Sequence, residues 1–276
     1  MSLKLKNKIA LVTGAAGGLG QGIAKALAAE GALVVVNDFC EEARIQAVVQ
    51  EIEAAGGRAW GIRADVGNSA AVQAMFDETA QRFGTVHVLV NNAAVLATRP
   101  QDEPRRVKHY DYLTKPVPRE SLQFTSQISD EEWLRFWDVN VHGVFYCTRA
   151  ALRLMEPQRE GKIINIASVA GFSAMSAHSP HYSATKGAVI AFSKSVAAEV
   201  AGSNIFVNVV APGGVHTQDY ENYFAHVGED AKRRFWQVIP AGRLGSIDEY
   251  AQTVTYLAGS HYFVGQVLSP NGGAVI

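Results

Sequence analysis

Tyr182 and Lys186, in the stretch PHYSATKGAVIAFSKS, are spaced to share one face of a helix. A tyrosine is protonated near neutral pH, and an acid/base catalyst works best with a pKa close to the working pH, which for a phenol means a drop of about 3 units. That shift corresponds to about 4 kcal/mol, which one cation about 4 Å away supplies at an effective dielectric near 20. The pair therefore points to proton transfer. Upstream, Thr13-Gly14-Ala15-Ala16-Gly17-Gly18-Leu19-Gly20 follows an apolar run and opens a helix-like segment. Glycines at such a turn let phosphates approach the backbone, and the free N–H groups of a helix start favour a diphosphate. Proton transfer beside a bound dinucleotide is the chemistry these residues suggest.

The elements that must hold them alternate along the chain. Strands are expected at 9–12, 33–37, 59–63, 86–90, 162–166, 205–210 and 266–268. Helices are expected at 20–30, 41–55, 69–83, 129–155, 180–201 and 247–258. Strand runs that are nearly all apolar belong to a parallel sheet covered on both faces. The expected fold is α/β, a single-domain Rossmann-type doubly wound sheet spanning 1–276. The chain of 276 residues is long enough for one large core, and no linker divides it.

Composition narrows the function. With 25 Lys and Arg against 26 Asp and Glu, the net charge of −1 offers no footprint for nucleic acid or for an anionic membrane. Cys40 and Cys147 lack metal-ligand or redox spacing and suit a reducing compartment. The start of the chain lacks the apolar stretch and cleavage site of a signal peptide, and no apolar run reaches about 18 residues, so a cytoplasmic protein is expected. His178 and His181 flank Tyr182, and His216 follows Pro212. Without cysteines nearby they are expected to line a pocket or to be ordinary loop histidines, and no metal is expected.

The second strand ends at Asp38, at about the 20-residue offset expected of a carboxylate that binds the adenosine ribose hydroxyls. Such a group repels a 2′-phosphate, and none of Ala15, Ala16 and Gly17 is basic, so NAD is expected over NADP. Asp65, after the third strand, can either serve the nucleotide or cap the next helix.

Together these features resemble the short-chain dehydrogenase/reductase family over nearly the whole chain. TGxxxGxG, Asp65-Val66, Asn91-Asn92-Ala93-Ala94, Asn140 in DVNVHGVF, Ser168 in IINIASVAG, the YxxxK pair and Pro212-Gly213 with Val215 and Thr217 follow in family order. The resemblance implies that Gly14, Gly18, Leu19 and Gly20 hold the pyrophosphate, Asp38 the ribose, and Asp65 with Val66 the adenine. It implies that Asn92 and Ala93 line the cofactor groove, that Pro212, Gly213, Val215 and Thr217 border the nicotinamide, and that Lys186 reaches its ribose. By the same resemblance Tyr182 is the acid/base, Ser168 bonds the substrate oxygen, Lys186 lowers the tyrosine pKa, and Asn140 holds a water of the proton relay. The implied activity interconverts a secondary alcohol and its ketone, with a cyclic or aromatic diol or a hydroxy acid among the candidate substrates. The alternatives are a 3-oxoacyl carrier reductase and a non-catalytic NAD-binding sensor. A homo-oligomer, dimer or tetramer, is implied as well.

Three departures from the family pattern stand out. The interval from Ser168 to Tyr182 is slightly longer than usual, so its loop is expected to bulge. Ala94 replaces a glycine, a methyl that the backbone is expected to tolerate. The segment 97–128 is an insertion with Pro100, Pro104, Pro116 and Pro118, a density that excludes one long helix. It carries Arg99, Arg105, Arg106, Lys108, Lys115 and Arg119, and is expected to wall or cover the substrate cleft or to make a subunit contact. A substrate flap is expected at 214–240, where Tyr220, Phe224, Phe235 and Trp236 cluster.

Overall fold

The computed structural model describes residues 3–97, 102–116, 118, 120–226, 228–260 and 262–276; Arg99, Pro100 and Arg119 of the insertion lie outside these. Seven strands, β1 (Ile9–Thr13), β2 (Leu33–Asp38), β3 (Arg58–Arg63), β4 (Val88–Asn91), β5 (Gly161–Ile166), β6 (Ile205–Val210) and β7 (Val267–Leu268), form one sheet in the order β3-β2-β1-β4-β5-β6-β7. Every pairing is parallel. The order reverses between β1 and β4, which opens a crevice at the carboxyl ends of the strands, where open α/β sheets bind ligands.

Alternation along each strand splits the core in two. Val12, Val34, Val36 and Ile164 face one side and pack with Ile23, Leu27 and Val254 from helices α1 (Gly18–Ala29) and α10 (Ile247–Gly259). Their neighbours Leu11, Val35 and Ile163 face the other side and pack with Phe76, Met155 and Val196 from α3 (Ser69–Phe83), α6 (Val144–Gln158) and α7 (Pro180–Val200). A period of two in the strands thus gives a sheet that is apolar on both faces, as helices on both sides require. Helix α2 (Glu42–Ala54) packs on β2 and β3, with Ile45, Val48, Val49 and Ile52 buried.

The expected helix at 129–155 is interrupted. α5 (Asp130–Trp137) and α6 flank a π-helical turn, Asp138–Gly143. The wider turn adds a residue to the spiral and carries the buried Asn140, and π-bulges commonly mark functional sites. Gly143 closes the same turn against Val66, where a Cβ would stand 2.9 Å from Val66 Cγ2.

The insertion holds a helix of its own, α4 (Glu103–Thr114), bracketed by its prolines: Pro104 sits in the first turn, where its missing N–H costs nothing, and Pro116 follows the end. The flap forms α8 (Gln218–His226) and α9 (Glu229–Gln237). α4 and α9 pack together over the strand ends, with the Tyr110 and Phe235 rings 5.3 Å apart edge to face.

Candidate functional site

The glycine turn lies between β1 and α1, and each glycine has its own reason. Gly14 has φ +62°, and a Cβ there would meet the Cα of Ala93 at 2.7 Å. On Gly20 a Cβ would stand 2.1 Å from the carbonyl oxygen of Gly14. Gly18 differs: its φ is +52°, and no heavy atom lies within 4 Å of where a Cβ would be, so its backbone faces open space. No side chain caps the start of α1, which leaves the first-turn N–H groups directed at a cleft of about 800 Å³. This donor set fits a diphosphate.

Polar bonds lock the turn to the next strand. Asn92 Nδ2 donates to the carbonyls of Thr13 and Gly14, both at 3.0 Å, while Thr13 Oγ1 accepts from the Asn92 and Ala93 amides at 3.0 and 3.1 Å. Beneath them, Asn91 Nδ2 donates to Asn165 Oδ1 at 2.8 Å, and Asn165 Nδ2 to Ser193 Oγ at 2.8 Å, a buried polar crossing from β4 through β5 to α7. Ala94 is outside the left-handed region, so its methyl brings no backbone strain.

Asp38 is already engaged by the backbone. Its Oδ2 accepts from the Ala16 amide at 3.1 Å and its Oδ1 from the amides of Phe39 and Cys40 at 2.8 and 3.2 Å. A carboxylate has about four acceptor positions, so capacity for one hydroxyl remains. Asp65 does not cap α3; Asn68 does, accepting from the Ala70 and Ala71 amides, and Asp65 Oδ1 instead accepts from Gly67 N at 2.9 Å. Asp38, Asp65 and Val66 all line the cleft. Arg44 lines it too, and carried no sequence signal because it comes from α2: a Cβ on Gly17 would lie 3.5 Å from its Nη2. The absence of a basic group, inferred from the glycine turn alone, therefore does not hold for the folded site.

The four residues expected to act on substrate converge across the switch point. Ser168 follows β5 and lines the cleft together with Tyr182, and its Oγ accepts from Ala170 N at 3.2 Å. Lys186 is 3% exposed, donates from Nζ to the Ile166 carbonyl at 2.8 Å, and stands 5.7 Å from the centre of the Tyr182 ring. Asn140, fully buried, accepts on Oδ1 from Val95 N at 2.7 Å and donates from Nδ2 to Val95 O at 3.0 Å and to Thr185 Oγ1 at 3.2 Å. Thr185 donates onward to the Tyr182 carbonyl at 2.8 Å. The Asn140 amide is thus committed to protein partners, leaving only the second lone pair of Oδ1 for the water expected there.

The electrostatics reverse one expectation. Burial pushes the Tyr182 phenol up to about 12, with the Ser168 hydrogen bond opposing and Tyr220 adding to the rise. Burial also brings Lys186 down to about 8. The expected drop at Tyr182 assumed a cation about 4 Å from the phenol in a dielectric near 20. In the protein alone, burial of the phenol is the largest influence on its ionisation.

Pro212, Gly213, Val215 and Thr217 line the far side of the cleft. Val169 N donates to the Pro212 carbonyl at 3.0 Å, Val215 pairs with Gly245, and Thr217 O accepts the Tyr220 and Glu221 amides that start α8. The loop from Ser168 to Tyr182 accommodates its length through a 3-10 turn, Val169–Gly171, and successive turns ahead of Pro180. From the insertion, Arg106 and Tyr110 reach the cleft; from the flap, Tyr220, Phe235 and Ile239 do. His178 Nδ1 lies 3.3 Å from His109 Nδ1, and among the described residues no group of His, Cys, Asp and Glu converges as a metal site.

A doubly wound sheet with an uncapped glycine-turn helix and a tyrosine–lysine pair, its lysine buried, at the switch point defines a dinucleotide-binding α/β protein. Residues 8–227 match the family model described as short chain dehydrogenase. A 3-oxoacyl-acyl-carrier-protein reductase of Synechocystis is 37% identical over 275 residues, covering 99% of this chain and 98% of the relative. A hydroxy(phenyl)methylsuccinyl-CoA dehydrogenase subunit of Thauera aromatica is 34% identical over 271 residues, covering 98% and 97%. Among solved structures, a short-chain dehydrogenase/reductase of Serratia marcescens superposes with a TM-score of 0.82 at 30% identity, covering 98% of this chain and 99% of that one. The chain belongs to the short-chain dehydrogenase/reductase family, whose members are nicotinamide-dependent oxidoreductases.

Proposed function

We propose that the chain interconverts a secondary alcohol and its ketone, with NAD as the preferred cofactor. The observation that carries this is the convergence of Ser168, Tyr182 and Lys186 in the cleft onto which the bare start of α1 opens. Bound there, the cofactor supplies a nicotinamide ring that takes up or returns a hydride and, when oxidised, a positive charge. Gly14, Gly18, Leu19 and Gly20 hold its pyrophosphate, Asp38 its ribose, Asp65 and Val66 its adenine. Ser168 bonds the substrate oxygen. In oxidation, the carbinol hydrogen leaves carbon as hydride while the hydroxyl proton passes to the Tyr182 phenolate; in reduction, Tyr182 returns a proton to the carbonyl oxygen. Lys186, one turn along, favours the phenolate.

Asn140 acts here as a positioning residue, fixing the Val95 backbone to α7. Exposed Trp133, Leu134 and Phe145 on α5 and α6 support assembly into a homo-oligomer through those helices. A second reading, a 3-oxoacyl reductase using NADP, is favoured by Arg44 beside Gly17 and by the name of the Synechocystis relative. Following reduced-nicotinamide absorbance with NAD and NADP against a panel of secondary alcohols, ketones and a 3-oxoacyl thioester separates the two. Turnover confined to the thioester with NADP contradicts the first reading, and no turnover despite NAD binding leaves a sensor.

A further inference from the structure

The substrate end of the cleft is one-sided in charge. Arg106 of α4 and Arg135 of α5 both line it. Among the described residues, the carboxylates that line the cleft are Asp38, at the end of β2, and Asp65, after β3, toward the opposite edge of the sheet from Ser168. Two further acids, Glu132 and Asp102, act on Arg105, next to Arg106 in sequence, and are not among the lining residues. Glu132 is held by Arg105 through two bonds, at 2.8 and 3.3 Å, and Asp102 is buried at the head of α4. Among the described residues, the cationic side chains lining this end of the cleft are Arg106, Arg135 and Lys186, and the surface they present to a ligand is cationic.

Position adds to the charge. Arg106 acts on His178, in the loop that leads into the helix of Tyr182, and helps to keep that imidazole neutral. Around Arg106 the wall is aromatic, with Tyr110, Tyr220 and Phe235 packed on one another. The dinucleotide's phosphates belong at the glycine turn, so this cation is not needed for the cofactor.

We infer that the substrate is a hydroxy acid or keto acid whose carboxylate is taken by Arg106 and whose apolar or aromatic body lies against Tyr110, Tyr220 and Phe235. This rests on the oxidoreductase reading above and narrows its substrate class. A guanidinium suits a carboxylate because its planar fork can donate two parallel bonds.

The test compares phenyl-terminated 2-, 3- and 4-hydroxy acids, their methyl esters and the corresponding N-acetylcysteamine thioesters. Binding to the protein–NADH complex is measured by calorimetry and turnover by nicotinamide absorbance, for the parent, Arg106→Gln and Arg106→Lys, with folding checked by circular dichroism. The expected result is at least one acid bound about tenfold or more tighter than its ester, a loss of about 10- to 100-fold for that acid in Arg106→Gln with the ester unchanged, and partial recovery in Arg106→Lys. Esters or thioesters handled as well as acids, acid and ester weakened alike by Arg106→Gln, or no acid bound at all, each overturn the inference. Selective acid binding without hydride transfer upholds the anion site and removes the oxidoreductase reading; turnover of neutral alcohols alone does the reverse.

Discussion

Asn140 and Val95 exchange a reciprocal pair of hydrogen bonds, side-chain amide to backbone amide, at 2.7 and 3.0 Å. The third arm of the Asn140 amide reaches Thr185, next to Lys186. One side chain in a π-helical turn therefore joins the loop after β4 to the helix that carries the tyrosine and lysine. Asn140→Ala deprives the Val95 amide and carbonyl of their partner, which costs about 2 kcal/mol or more. We expect a lower unfolding midpoint in denaturant and a fall in kcat on the order of 100-fold as the site loosens. Unchanged stability and turnover contradict the clamp.

Lys186 is expected to set the pH profile. The Tyr182 phenol stands at about 12 and needs added positive charge to ionise near neutral pH. Alcohol oxidation is expected to rise from neutral into alkaline pH, and Lys186→Met, by removing a cation, to move that limb to higher pH and lower the plateau. A pH series of kcat/KM for both proteins checks the direction.

In the proposed cofactor site, Asp38 and Arg44 are expected to act in opposite directions on the choice between NAD and NADP. Arg44→Ala is expected to lower kcat/KM with NADP by about tenfold and to leave NAD nearly unchanged, because only the 2′-phosphate needs the guanidinium. Asp38→Asn shifts the ratio the other way, toward NADP. Equal effects on both cofactors remove Arg44 from cofactor choice.

Much of this site was legible because its parts are local. TGxxxGxG sits in a single strand–turn–helix, and Tyr182 and Lys186 in a single helix, so spacing alone gives the geometry. The strands were legible for a similar reason, since β1, β2 and β5 are built around apolar runs at 9–12, 33–36 and 163–164. What the sequence hid depends on contacts between distant segments. Arg44 meets the glycine turn only once α2 packs, and Arg106 meets the loop before Tyr182 only once the insertion folds over the strand ends. The π-helical turn was hidden as well, because 129–155 has helical periodicity throughout and the extra residue at 138–143 answers to Val66 and Val95, which lie far off in sequence.

His178 ties stability to pH. Burial, with His109, Arg106 and His181 nearby, brings it down to about 3, against about 6.5 in the unfolded chain. Between these values the unfolded state binds more protons, so this contribution is complete above about pH 6.5 and is lost as pH falls toward 3. His178→Gln is expected to flatten the fall in Tm over that window. A parallel slope in the variant contradicts the assignment.

The central claim is that Tyr182 carries the proton while hydride leaves or reaches the substrate carbon. It is tested most directly by single-turnover nicotinamide absorbance of Tyr182→Phe beside the parent, with cofactor affinity measured on the same samples. Near-parent cofactor binding is expected, with hydride transfer slowed by at least about 100-fold, the lower range of general acid–base contributions. Hydride transfer at the parent rate in Tyr182→Phe contradicts it.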